Sequence, residues 1–404
     1  MTSTTTADAV RPISFSPESK AAARASVSKE RVVSVDVLRG LVMILMALDH
    51  TRDYFSKLRF QPEDMARSTP LLFLTRWVTH FCAPSFFFLA GVGASLAMKN
   101  GRSRSDVSRF LLTRGLFLVI LEPTVLQMEW NFSFSPPFIL LVIWALGWSM
   151  IVLSAMIYLP HKVIGAISLL MIFGHNLLDG VKPESFGALA PVWHLLHVPG
   201  LVMNNVIVGY PLIPWAGVMS LGFVVGDVFR WDVESRRKFL IRAGAAAVAL
   251  FIVLRYFNIY GNPFPWSSQR SAAMTVASFL NVLKYPPSLL YLLMTLGAAL
   301  VALALFENAR GRIARVVSVY GKVPMFYYMI HIFLIHCLAT IFAMVQGGHA
   351  GFLSLDVSSF PAWYGTSLPG VYLAWAIVVS ALYVPCRWYA GLKARRNDFW
   401  LRYI

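Results

Sequence analysis

The sequence predicts an all-α polytopic membrane protein, a bundle of about ten transmembrane helices with both termini cytoplasmic. Three observations predict it. Of 404 residues, 57% are hydrophobic and only 13% charged, whereas about a quarter of a soluble domain is charged. Apolar runs long enough to cross a bilayer recur along the chain. Between them Lys and Arg crowd alternate loops, the pattern of cytoplasmic segments. The net charge of +16 is therefore read as a topology signal. Its basic residues are scattered among short loops rather than gathered in one patch, so nucleic acid is not an expected partner.

Residues 1–30 are rich in Ser, Thr and Ala, lack an apolar stretch and carry Arg11, Lys20, Arg24 and Lys29. They read as a disordered cytoplasmic tail rather than a cleaved signal, leaving 31–404 as the membrane domain. Spans are expected near 37–57, 71–98, 108–127, 138–158, 161–178, 207–229, 239–257, 286–306, 322–346 and 369–389. The basic loops lie at 99–114, 230–242, 310–322 and 387–402, one for each pair of spans. The intervening loops are longer and rich in Trp, Tyr, Asn and Pro. Their aromatic residues form an interfacial belt or stack on a sugar ring. Cys82, Cys337 and Cys386 have no CxxC or metal-ligand spacing, so no disulfide frame and no metal site is expected.

The first span carries the most informative pattern, because ionisable residues inside a bilayer mark a site by default. From Asp36 through Arg39 to Asp49 and His50, the eleven-residue step from Arg39 to His50 makes about three turns and rises about 16 Å. Arg39 and His50 therefore share one face, with Met43, Met46 or Ala47 and Tyr54 on or near the same stripe. A titratable imidazole about 21 Å along the helix from Asp36 lies in the outer half of the membrane. There His50 serves as a proton acceptor, or is hydrogen-bonded within the bundle or at the headgroups. Asp49 and Asp53 orient the imidazole, or else cap the helix and pair with Arg52.

The second span returns with Arg76 and His80 spaced i,i+4 at a similar depth. The two share a pocket with His50, or Arg76 is an interfacial anchor. Pro84 is expected to kink this span, and Gly91 and Gly93 to allow close packing. Near the end of the chain His331 and His336, five residues apart, point in different directions. One lines the same cavity and the other is satisfied within the bundle.

Several stretches together are similar to bacterial members of the heparan-alpha-glucosaminide N-acetyltransferase catalytic-domain family, within the wider transmembrane acyltransferase group. They are Ser34 to Gly40, Leu48 to Phe55, Thr79 to Pro84, Lys284 to Leu290, and Pro324 to His336. The resemblance implies a multi-pass enzyme of the inner membrane that moves an acyl group, acetyl by default, from cytoplasmic acyl-CoA to a sugar or glycolipid on the other side. Acetyl-CoA is then a co-substrate, with no permanently bound cofactor. Arg39 would meet the phosphates or pantetheine of the donor. His50 would act as general base or briefly take the acyl group, while Asp49 and His80 would orient it, polarise the carbonyl or shuttle the proton. The lysosomal enzyme that names the family carries its catalytic histidine in the loop beyond the first helix, with asparagine aligned to His50. This chain has no histidine between His50 and His80, so a bacterial envelope glycan or glycolipid is the expected acceptor. The alternative is a proton-coupled transporter or channel using the same His, Asp and Arg cluster.

Overall fold

The computed structural model describes residues 32–396 and 398–404, with Arg402 described by its backbone alone. The tail expected over 1–30 lies outside them. Long apolar runs form helices because nothing else satisfies the backbone in lipid, and among the described residues eight helices are long and apolar enough to cross a membrane. The protein is a multi-pass membrane protein. Two further helices correspond to expected spans: the first, 23 residues long but carrying Asp36, Arg39, Asp49, Arg52 and Asp53, and Val142–Met156, apolar but only 15 residues long.

In chain order, α1 is Val33–Phe55, α2 Pro70–Trp77, α3 Cys82–Lys99, α4 Arg104–Leu121 and α5 Gln127–Asn131. Strand β1, Phe138–Leu140, precedes α6 at Val142–Met156 and α7 at His161–Gly174. Then come α8 at Ala190–Leu196, β2 at Gly200–Met203, β3 at Val206–Val208, α9 at Leu212–Val225 and α10 at Val233–Phe257. The last five helices are α11 at Ala272–Leu280, α12 at Leu289–Phe306, α13 at Arg312–Lys322, α14 at Pro324–Gly347 and α15 at Leu368–Arg395. Val33 to Ile404 forms one unit.

α1 lies at the centre, packed on α3, α12, α13, α14 and α15. α3, α9 and α12 bury most of their residues, whereas α7, α10 and α15 bury few. Those outer helices expose Leu170, Ile252, Val253, Leu373 and Val384, an apolar surface suited to lipid. α1 and α13 touch backbone to backbone: a Cβ on Gly40 would strike the Val317 carbonyl, and one on Gly321 the Asp36 carbonyl. Gly40→Val is therefore expected to lower stability by about 1–3 kcal/mol, the usual cost of overpacking. It would read as an earlier thermal midpoint in detergent. Gly93→Val is the control, since no atom lies within 4 Å of a Cβ there, and an unchanged midpoint for Gly40→Val would refute the close crossing. The same observation corrects the expectation that Gly93 serves packing. Gly91 does so, against the Met219 carbonyl of α9, but Gly93 borders a cavity.

The second expected span is interrupted rather than simply kinked. α2 tightens into a 3-10 turn, Val78–Phe81, before α3 begins, and Pro84 sits in the first turn of α3. Proline has no N–H to return to the His80 carbonyl. The Tyr291 hydroxyl donates to that carbonyl instead, at 2.7 Å.

The all-helical expectation also needs one amendment. Residues 138–140, read as the start of a span, are extended: β1 pairs in parallel with β3, which pairs antiparallel with β2, in the order β1-β3-β2. The preceding Pro136 and Pro137 disfavour helix. α6 thus starts late, and its first amides are capped from another helix: the Glu122 carboxylate, in a π turn at the end of α4, accepts from the Ile143 and Trp144 amides at 2.9 Å each. A carboxylate at a helix N-terminus is favoured by the helix dipole.

Candidate functional site

The Arg39–His50 face of α1 opens onto two cavities. Arg39 and Met43 wall the smaller, of about 300 Å³. Met46, Asp49 and His50 wall the larger, of about 680 Å³. Phe86, Val142 and Tyr328 wall both, so three side chains from α3, α6 and α14 form a waist between them.

Hydrogen bonds set the protonation pattern at His50. His331 is fully buried, and its Nδ1 lies 2.5 Å from the Tyr328 carbonyl and 3.0 Å from that of Tyr327. Carbonyls only accept, so Nδ1 carries the proton. In a neutral ring Nε2 of His331 is then an acceptor, and His50 Nδ1, 2.8 Å away, donates to it. The network therefore assigns His50 the tautomer whose Nε2 holds a lone pair. The Trp130 ring meets the His50 ring edge-on at 4.8 Å between centroids and limits its rotation.

Beside His50 runs a chain of charges, of which Asp49, Arg52, Arg76 and Lys284 are buried and Asp53 and Glu63 partly so. Arg52 pairs with Asp53 at 2.6 Å and with Asp49 at 3.0 Å. Arg76 joins Asp49 to Glu63, at 2.6 Å from the latter, and Lys284 reaches Asp49 at 4.0 Å. Three cations balance three anions, which is what makes such burial tolerable. Glu63 comes from the loop between α1 and α2, where Asn281 donates to its backbone carbonyl at 2.9 Å. Burial alone would raise its pKa, but Arg76 and then His80 hold the carboxyl below the usual range. Tyr285, beside Lys284, is likewise shifted downward: burial opposes ionisation, and the Lys284 and Arg76 charges outweigh it.

The smaller cavity is cationic and apolar in turn. Arg114, Lys322 and Lys393 join Arg39 on its wall, together with Leu89, Ala90 and Met150. Arg39 donates to the Gly321 and Leu89 carbonyls at 3.4 and 3.5 Å. Residues from three of the basic loop regions thus converge on the Arg39 end of α1.

Of the expected site residues, the structure places His50 and Asp49 on the wall of the larger cavity and Arg39 on the wall of the smaller one. His80 is fully buried behind that wall, 3.7 Å from Glu63 and edge-on to Tyr291. The 3-10 turn rotates it away while Arg76 still faces inward. Asp49 is engaged by Arg52 and Arg76, and His50 is fixed by the hydrogen bond it donates to His331, which is fully buried behind the wall and, like His336, lines neither cavity. His336 turns to the Glu129 carbonyl at 2.9 Å. Glu63, Lys284, Tyr285 and Tyr328 were not anticipated as wall residues. Lys284 and Tyr328 do stand inside the motifs quoted above, whereas Glu63 has no local signal. Among the described residues, the His and Asp side chains spaced for a metal ion lie elsewhere, beyond the end of α7.

Residues 31–260 match the family described as heparan-alpha-glucosaminide N-acetyltransferase, catalytic. That is 230 of 404 residues, more than half of the chain. It takes in Arg39, Asp49, His50, Glu63, Arg76 and His80 but stops short of Lys284 and His331. No curated protein matches.

Proposed function

Because the chain belongs to the heparan-alpha-glucosaminide N-acetyltransferase catalytic family, we propose that it transfers an acetyl group from cytoplasmic acetyl-CoA to an amine or hydroxyl of an extracytoplasmic sugar or glycolipid. The observation that carries this reading is the pair of cavities on one face of α1, separated only by the waist. On this reading the bundle has ten spans, α1 and α6 included, and lies in the inner membrane with both termini cytoplasmic. Arg39, Arg114, Lys322 and Lys393 receive the phosphates of the donor. The pantetheine arm rises past Met43 and Ala90, and the thioester reaches the waist.

The acceptor occupies the larger cavity, its ring against Trp130, Tyr210 or Tyr285. His50 Nε2 takes the proton from the attacking amine or hydroxyl as the new bond to the acyl carbon forms. The hydrogen bond to His331 steadies the imidazolium. Collapse of the tetrahedral intermediate breaks the carbon–sulfur bond, and His50 returns its proton to the leaving thiolate. Lys284 and Tyr285 offer donors for the developing oxyanion.

Calorimetric titration of the purified protein with acetyl-CoA tests the donor end. Wild type is expected to bind, Arg39→Ala to bind about tenfold or more weakly for the loss of one charge-assisted contact, and His50→Ala to bind like wild type. Gly93→Leu fills the smaller cavity without disturbing the packing and should abolish the heat of binding. Binding untouched by both Arg39→Ala and Gly93→Leu would place the donor elsewhere. No binding by a folded preparation would favour the transporter, in which both histidine and arginine changes alter flux independently of acyl-CoA.

A further inference from the structure

We infer that His175, Asp179 and His197 form a binding site for a divalent transition-metal cation of the zinc class. His175 opens the 3-10 turn that extends α7, Asp179 follows that turn, and His197 follows directly after α8. One ligand atom from each lies within 4.8 Å of the others. Both imidazoles are buried, 2% and 0% exposed, and among the described residues none of their four ring nitrogens makes a well-aligned hydrogen bond, the Asp179 carboxylate facing His197 Nε2 being the nearest polar group. Buried ring nitrogens are ordinarily satisfied, so two such rings side by side call for a ligand.

The spacing suits a small cation. His197 Nε2 stands 3.3 Å from Asp179 Oδ1 without the alignment of a hydrogen bond, and two ligands held at zinc distances in tetrahedral geometry stand about 3.3 Å apart. Asn176 donates to the other carboxylate oxygen of Asp179 at 2.8 Å, the kind of outer contact that orients a ligating carboxylate. Two imidazoles and one carboxylate suit zinc and its neighbours, whereas calcium and magnesium prefer oxygen. The partly exposed Asp179 leaves a side open for entry and for a water ligand.

The site stands apart from both cavities and acts on their frame. A bound cation would fasten α8 to the end of α7, and α8 leads directly into β2 and β3. Asn176 also accepts from the Leu289 amide at the start of α12, at 2.8 Å. The clamp therefore steadies the sheet whose neighbours Leu141 and Tyr210 wall the larger cavity.

The test uses tag-free, full-length protein in detergent, stripped with a chelator and titrated with zinc against a fluorescent zinc indicator. One zinc per chain is expected, with a raised thermal midpoint that magnesium does not reproduce. Asp179→Asn keeps the shape of an exposed side chain and, as it removes a direct ligand, should weaken zinc by at least the roughly 10–100-fold that losing an outer contact costs. His197→Gln should weaken it at least as much. The inference is overturned if natively eluting wild type binds no zinc, if Asp179→Asn binds equally well, or if magnesium gives the same shift.

Discussion

His50→Ala is expected to lower acetyl transfer by a factor of about 10²–10⁴, the usual worth of a positioned general base, while acetyl-CoA affinity stays within a few-fold of wild type. The split follows from place. His50 walls the larger cavity, about 16 Å along α1 from Arg39, and is not among the residues that wall the smaller one. His331→Phe gives the companion result. It keeps the buried volume, removes the acceptor of the His50 Nδ1 proton and frees the imidazole to take the unproductive tautomer. A loss of about tenfold or more is expected there. It should show as a fall in kcat with KM for acetyl-CoA unchanged, because a positioning contact acts on the chemical step. Full activity in His50→Ala would remove His50 from the reaction altogether.

Arg76→Met is expected to destabilise the fold by about 3–5 kcal/mol, the cost of breaking a buried ion pair by removing one partner. Arg76 spans Asp49 and Glu63 with two different nitrogens, so its loss strands Glu63 and leaves Asp49 to Arg52 and Lys284 alone. Arg76→Lys cannot span both and should recover little. Pairing Arg76→Met with Glu63→Gln removes the stranded charge and should restore part of the thermal midpoint. Additive losses in the double variant would refute the coupling. The same contact fixes a pH dependence. With its folded pKa depressed, Glu63 stabilises the protein at every pH above its unfolded value of about 4.3, and this is lost only as pH falls through the lower folded value. The midpoint difference between wild type and Glu63→Gln should therefore be constant from pH 8 to about pH 5 and shrink below about pH 4. A difference that vanished near neutral pH would mean that Glu63 is not held ionised.

How much of this was legible depended on distance along the chain. Helical periodicity is local, so the alignment of Arg39 with His50 followed from counting residues, and both proved to face cavities. The interruption of α2 and α3 was half legible: Pro84 announced a disturbance, but its form depended on a hydroxyl from Tyr291, 211 residues from the His80 carbonyl it reaches. Spacing predicted that one of His331 and His336 lines the cavity, but neither does; that His331 instead bonds His50 from behind the wall depends on which face of α14 meets α1. Glu63 reached the site through a loop whose position is held by Asn281, and no periodicity encodes that. The start of α6 was misread because an apolar run of three residues serves strand and helix alike. The His175, Asp179 and His197 group was invisible for the same reason as Glu63. Its members are four and eighteen residues apart, and the last is brought back by α8.

The waist of Phe86, Val142 and Tyr328 has an electrical side. An energised bilayer is a charged capacitor, in which each elementary charge crossing 100 mV dissipates about 2.3 kcal/mol. Two polar cavities set end to end through such a film would be a short circuit for protons if water joined them. A phenylalanine, a valine and a tyrosine shared by both walls can part for a slender thioester arm and close behind it with no continuous file of water. On the proposed reading, the residues that bring donor and acceptor within reach of each other are also the insulation that lets a cell keep this enzyme in a membrane it must hold at voltage.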